Sequence, residues 1–95
     1  MARVTWSPRA AADFADTCEF LGKRSETYAA SFANGVRAVV ESRPRLGAMV
    51  PDYELDEIRE RLHLNYRIIY RIAGEDIEIV AFVNASRRLP RTPPG

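Results

Sequence analysis

Residues 58–72 read IRERLHLNYRIIYRI, and no other stretch restricts the fold as strongly. Four Ile, two Leu and two Tyr share the run with four Arg. Side chains alternate across a β-strand, so one strand can send apolar groups to a core and charged groups away from it. Asn65 and its neighbours break the run into two strands, at about 57–63 and 66–72. In the second, Tyr66, Ile68, Tyr70 and Ile72 point one way, and Arg67, Ile69 and Arg71 the other. In the first, Ile58, Glu60 and Leu62 oppose Arg59, Arg61 and His63.

The turn decides how these sets combine, because a slip of one residue turns a whole strand over. A two-residue loop at Leu64-Asn65 pairs 63 with 66 and puts Arg59 and Arg61 beside Tyr66, Ile68 and Tyr70. A three-residue loop, His63-Leu64-Asn65, pairs 62 with 66. Ile58 and Leu62 then join Ile68 and Tyr70 on a core face, while Arg59, Arg61, Arg67 and Arg71 share an open face. Asn65 tolerates the left-handed conformation that such a loop needs. We expect the three-residue loop. The resulting face is either a solvated, salt-bridged surface, with Glu57, Glu60, Glu75 and Glu78 offsetting its charge, or a grip for an anionic partner.

Ahead of this run the spacing is helical. Residues 3–6, RVTW, are β-prone. Ser7 then suits an N-cap and Pro8 the first helical position. Ala10, Phe14, Thr17, Cys18 and Leu21 fall on one helix face, and Gly22 is placed to end the helix as a C-cap glycine. Ser25 opens a second helix with Ala29, Phe32, Ala33, Val36, Val39 and Val40 as its apolar stripe. Pro44 requires it to stop by Arg43. The next fifteen residues, RPRLGAMVPDYELDE, show no sustained period and read as a connection. After the two strands, AGED is a turn, and a third strand runs over about 77–83. The order β-α-α-β-β-β indicates an α+β fold, a helical hairpin packed on a small antiparallel sheet. One domain over residues 1–89 is expected, followed by a Pro-rich tail at 90–95.

Composition narrows the function. With 95 residues, 46% hydrophobic, the chain can bury a modest single core. The net charge of +1 argues against general nucleic-acid binding through bulk charge. Basic residues are thirteen Arg to one Lys, a bias that also suits bidentate contacts to carboxylate or phosphate. A single cysteine excludes an internal disulfide and fits a reducing, cytoplasmic setting. No apolar stretch is long enough for a membrane span. Cys18 reads as a small core residue rather than a nucleophile, and His63 as a turn histidine rather than a catalytic base. Trp6 and Tyr53 read as packing residues before binding anchors. The sequence points to no cofactor and no metal.

The ordered words RPRLGAMVPDYELDEIRERLHLNYRIIYRI and IEIVAFVNASRRL, after the opening VTWSPRAAADF, resemble the RelE/ParE superfamily of bacterial toxins. The pattern is a Pro-x-x-Gly connection, VPD before the hairpin, then IRE and YRIIYRI, and a basic motif after the last strand. The resemblance spans about residues 3–88 and implies two helices on an antiparallel sheet. It also implies a hetero-oligomer with a cognate, acidic, ParD-like antitoxin that neutralises the toxin.

RelE-like members of the superfamily cleave ribosome-bound mRNA, and ParE-like members bind and poison DNA gyrase. Arg67 matches the superfamily's sheet arginine. Arg59 matches a basic position on the preceding strand, allowing one gap, and Arg87 or Arg88 the basic residue after the last strand. RNA cleavage also needs a proton donor, and relatives often carry Tyr or His late in the chain. This chain has no Tyr after Tyr70, no His but His63, and Asn84 where relatives often carry His. Arg stays protonated near neutral pH and is a poor acid–base catalyst. The resemblance therefore implies a ParE-like gyrase inhibitor with no catalytic residues. Arg59, Arg61, Arg67, Arg71, Arg87 and Arg88 are the expected contacts to target or antitoxin. The alternatives are a RelE-like endonuclease and a toxin-fold protein that only binds its antitoxin.

Overall fold

The computed structural model describes residues 3–41, 48–49 and 57–85, with backbone alone at 48–49. Arg87, Arg88, Tyr53 and the 90–95 tail lie outside these residues. The chain runs β1 (Val4–Trp6), α1 (Pro8–Gly22), α2 (Glu26–Glu41), β2 (Ala48–Met49), β3 (Ile58–His63), β4 (Tyr66–Ala73) and β5 (Asp76–Asn84). The sheet order is β1-β5-β4-β3-β2. The expected α+β class and element order hold. Strands β3, β4 and β5 form the expected antiparallel meander.

Two features extend the expected sheet. β1 pairs parallel with β5, Val4 opposite Ile77 and Trp6 opposite Ile79, so the sheet is mixed. The helical hairpin supplies the long connection that a parallel neighbour needs. β2 is a two-residue strand antiparallel to β3, within the segment read as a connection. Two residues are too short for any periodicity to register.

Local chemistry sets the helix ends. Ser7 is extended (φ −64°, ψ 154°), and its Oγ accepts the Ala10 N–H at 3.1 Å, with Pro8 starting α1. Ser25 opens α2 in the same way, accepting the Tyr28 N–H at 3.1 Å. Gly22 does end α1, but not as a left-handed cap. It is the last helical residue, and Lys23 follows at φ −64° in the right-handed region. The Lys23 N–H reaches the Glu19 carbonyl and those of Arg24 and Ser25 reach Leu21, so the chain enters α2 without a left-handed residue.

Both sheet faces are buried. The helices cover one, where Ala10, Phe32, Val36, Val40, Ile68, Tyr70, Ile77, Ile79 and Phe82 form the main core. Trp6 packs at its margin, stacked on Phe14 at 5.0 Å. Cys18 packs there too, as a half-buried core residue. Burial raises its thiol pKa above the usual 9.0, partly offset by Arg37. Ile58, Ile69, Val80 and Ala81 form a second buried cluster on the other face.

A bulge in β5 makes this possible. Ile69 pairs with Ala81 but Tyr70 pairs with Ile79, leaving Val80 as the extra residue. The bulge reverses the alternation, so Ile77, Ile79 and Phe82 all face the helices.

Candidate partner-binding site

The β3–β4 register corrects the expected arginine face. His63 lies opposite Tyr66, Arg61 opposite Ile68 and Arg59 opposite Tyr70. The loop is the two-residue Leu64-Asn65, not the three-residue one. Leu64 takes the left-handed conformation (φ 55°), rather than Asn65. Arg59 and Arg61 therefore share the helix side with Ile68 and Tyr70, and Arg67 and Arg71 lie on the other face with Ile58 and Ile69. Leu62 falls outside the core, at 62% exposure. The expectation assumed one buried face. With both faces buried, Ile58 has a core to enter on either side, and the hydrophobic pattern no longer selects the register.

The four hairpin arginines thus do not form one surface. Arg67 is half-buried and committed to Glu60. Its Nε and Nη2 both donate to the Glu60 Oε2, at 2.7 and 2.6 Å. Both side chains are about 15% exposed (15% and 16%), so the pair is sheltered from the solvent that screens surface ion pairs. Arg71 lies across the ladder from Glu78. The structure joins Arg67 and Arg71 on one face and Arg59 and Arg61 on the other. It does not describe Arg87 and Arg88.

His63 is held by packing. A Cβ built on Gly35 of α2 would stand 2.6 Å from the His63 Cε1, so the glycine lets the helix lie directly on the imidazole. The Phe32 ring is 5.5 Å away on the same side. His63 serves as a wedge between α2 and β3.

A cleft of about 480 Å³ opens between α1 and the far end of the sheet. Arg9, Asp13, Asp16 and Thr17 line its helix wall, with Tyr66, Phe82 and Asn84 on the strand side. Tyr66 and Phe82 stack at 5.1 Å to form an aromatic floor, braced by Phe14 and Phe32. Arg9 pairs with Asp13 at 3.5 Å on the rim. The β5 bulge brings Asn84 to this cleft. The Arg9, Asp13 and Asp16 wall gives no sequence signal, because it reads as an ordinary solvated helix flank.

At this end of the sheet Leu62, in β3, and Leu64, in the β3–β4 turn, are 62% and 64% exposed. The turn is anchored: the Ala85 N–H donates to the Asn65 carbonyl at 2.8 Å. The cleft has charged side chains on its helix wall and aromatic rings on its floor.

Among solved structures the chain is similar to a chain of the chromosomal ParDE TA system from P. aeruginosa. The TM-score is 0.68 at 18% identity, covering 90% of this chain and 98% of that one. At that identity the likeness concerns the fold. No curated protein sequence matches the chain at a significant level. The family model described as the ParE toxin of type II toxin-antitoxin system, parDE, matches residues 4–89. A match over nearly the whole chain, on a fold shared with a ParDE protein, places it in that family: the chain belongs to the ParE toxins of type II toxin–antitoxin systems.

Proposed function

We infer that this toxin acts by binding DNA gyrase, blocking replication, and that a cognate acidic antitoxin neutralises it in a hetero-oligomer in the cytoplasm. The observation that carries this reading is the state of Arg67. A nuclease site requires cationic groups free to meet a developing phosphorane and a donor for the leaving oxygen. Arg67 is instead neutralised by Glu60. His63 is wedged beneath α2, and Asn84, which cannot transfer a proton, ends β5. A protein that works by contact needs none of these groups to be reactive.

The antitoxin follows from the family and from the available surface. Acidic, amphipathic tails that fold on binding suit apolar grooves rimmed by cations. Arg59 and Arg61 on the helix side of the sheet, Arg71 on the other face and the basic Arg87 and Arg88 are the candidate charge partners.

Pulse labelling after induction without antitoxin tests the mode of action. A gyrase inhibitor lowers incorporation into DNA first and leaves mRNA intact. Prompt loss of protein synthesis with codon-specific mRNA cuts would overturn the reading in favour of a ribosome-dependent endonuclease.

A further inference from the structure

The helix wall of the α1 cleft is net negative, with Asp13 and Asp16 against Arg9. The two carboxylates stand three residues apart, on one face of the helix. Arg9 meets Asp13 at 3.5 Å, but its side chain is 85% exposed, so water screens the pair. Asp16 has no ion pair among the described residues. On the floor Phe82 is buried and Tyr66 half-buried, so Tyr66 is the ring that a group entering the cleft can reach. A carboxylate beside an aromatic ring suits a guanidinium, which pairs with the one and lies flat on the other. An acidic peptide meets like charge there.

The chain carries arginines next to this cleft. Asn84 lines the strand side, and Ala85 is fixed by its N–H on the Asn65 carbonyl at 2.8 Å. The residues that follow, SRRLPRTPPG, contain three Arg and no acid. Arg87 and Arg88 come two and three residues after the anchor, about 7 and 10 Å of extended chain. Their long side chains add to that reach. A tether this short acts as a local concentration on the order of millimolar, which favours a contact that would be too weak between separate molecules.

We propose that the α1 cleft binds the chain's own basic tail, with Arg87 or Arg88 lying on Tyr66 and paired with Asp16. The arginine in the cleft is then a contact within the toxin, and the other remains for a partner. The proposal stands whichever enzyme the toxin targets.

Tryptic cleavage of the full chain after Arg87 and Arg88 tests it. The wild type is compared with Asp16→Asn and with Glu19→Gln, an acid of α1 outside the cleft. Asp16 and Glu19 are both exposed, so neither change disturbs the core. Asp16→Asn should speed cleavage about fivefold, the factor expected from one partly screened ion pair, and Glu19→Gln should leave it unchanged. In the NMR spectrum of the wild type, the side-chain protons of one of the two arginines should be shifted upfield by the Tyr66 ring, and less so in Asp16→Asn. Equal cleavage of the wild type and Asp16→Asn overturns the proposal. Wild-type cleavage as fast as that of a free peptide of residues 84–95 also overturns it. An equal gain in Glu19→Gln overturns it too, because the effect is then one of net helix charge. If Asp16→Asn changes affinity for the antitoxin and leaves tail cleavage as it was, the antitoxin is the occupant and the proposal fails.

Discussion

Arg67 places two guanidinium nitrogens on one oxygen of Glu60, across adjacent strands and with both side chains largely shielded from water. Glu60 is paired with Ile69 and Arg67 with Leu62, so the contact is a diagonal of the β3–β4 ladder. It exists only in the register with His63 opposite Tyr66. The same pairing fixes the burial of Arg67 and the exposure of Leu62.

Removing one partner of this pair strands a half-buried charge. Glu60→Ala and Arg67→Ala should each lower stability by about 1.5–3 kcal/mol in urea unfolding. The double variant should cost clearly less than the sum, and additive losses would show that the two side chains do not act together.

Gly35 and His63 should show a reversal of sign. Gly→Ala within a helix ordinarily gains up to about 1 kcal/mol. Here the new methyl meets an imidazole already backed by Phe32, so Gly35→Ala should destabilise by about 1 kcal/mol. In a His63→Ala background the same change should stabilise. Melting of the four proteins in the cycle checks this.

Ser7 caps α1 and is itself buried at the start of the helix. Ser7→Ala should cost about 1 kcal/mol, and Ser7→Asp less, because the carboxylate can accept the same N–H. Equal losses in chemical denaturation would mean that the cap contributes nothing.

Cys18 should resist alkylation near pH 8. Burial holds its thiol above the usual 9.0, so little thiolate is present. A raised pKa in the folded state favours folding below the unfolded value, and this contribution is lost as pH rises through the folded one. Labelling as fast as in the unfolded chain would contradict the burial.

The helices were legible because their signals are local. Ser7-Pro8, Ser25 and the two apolar stripes depend on nothing beyond a few turns of chain. The meander was legible from its alternation and from the AGED turn, where Gly74 takes a positive φ of 63°. The register was not. Ile58 and Leu62 alternate with arginines under either turn, and only the second buried cluster around Ile69 and Val80 decides between them. The β5 bulge was hidden because IEIVAF is apolar at nearly every position. The four hairpin arginines lie on the sheet as expected but not on the expected faces, and the pairing of Arg67 with Glu60 follows from the register.

The activity of purified DNA gyrase tests the central claim most directly. Supercoiling of relaxed plasmid should fall as the toxin is titrated in, with enzyme–DNA cleavage complexes accumulating, and recover when the acidic antitoxin is added at equal concentration. Full supercoiling at saturating toxin, with no cleavage complex trapped, would contradict the account.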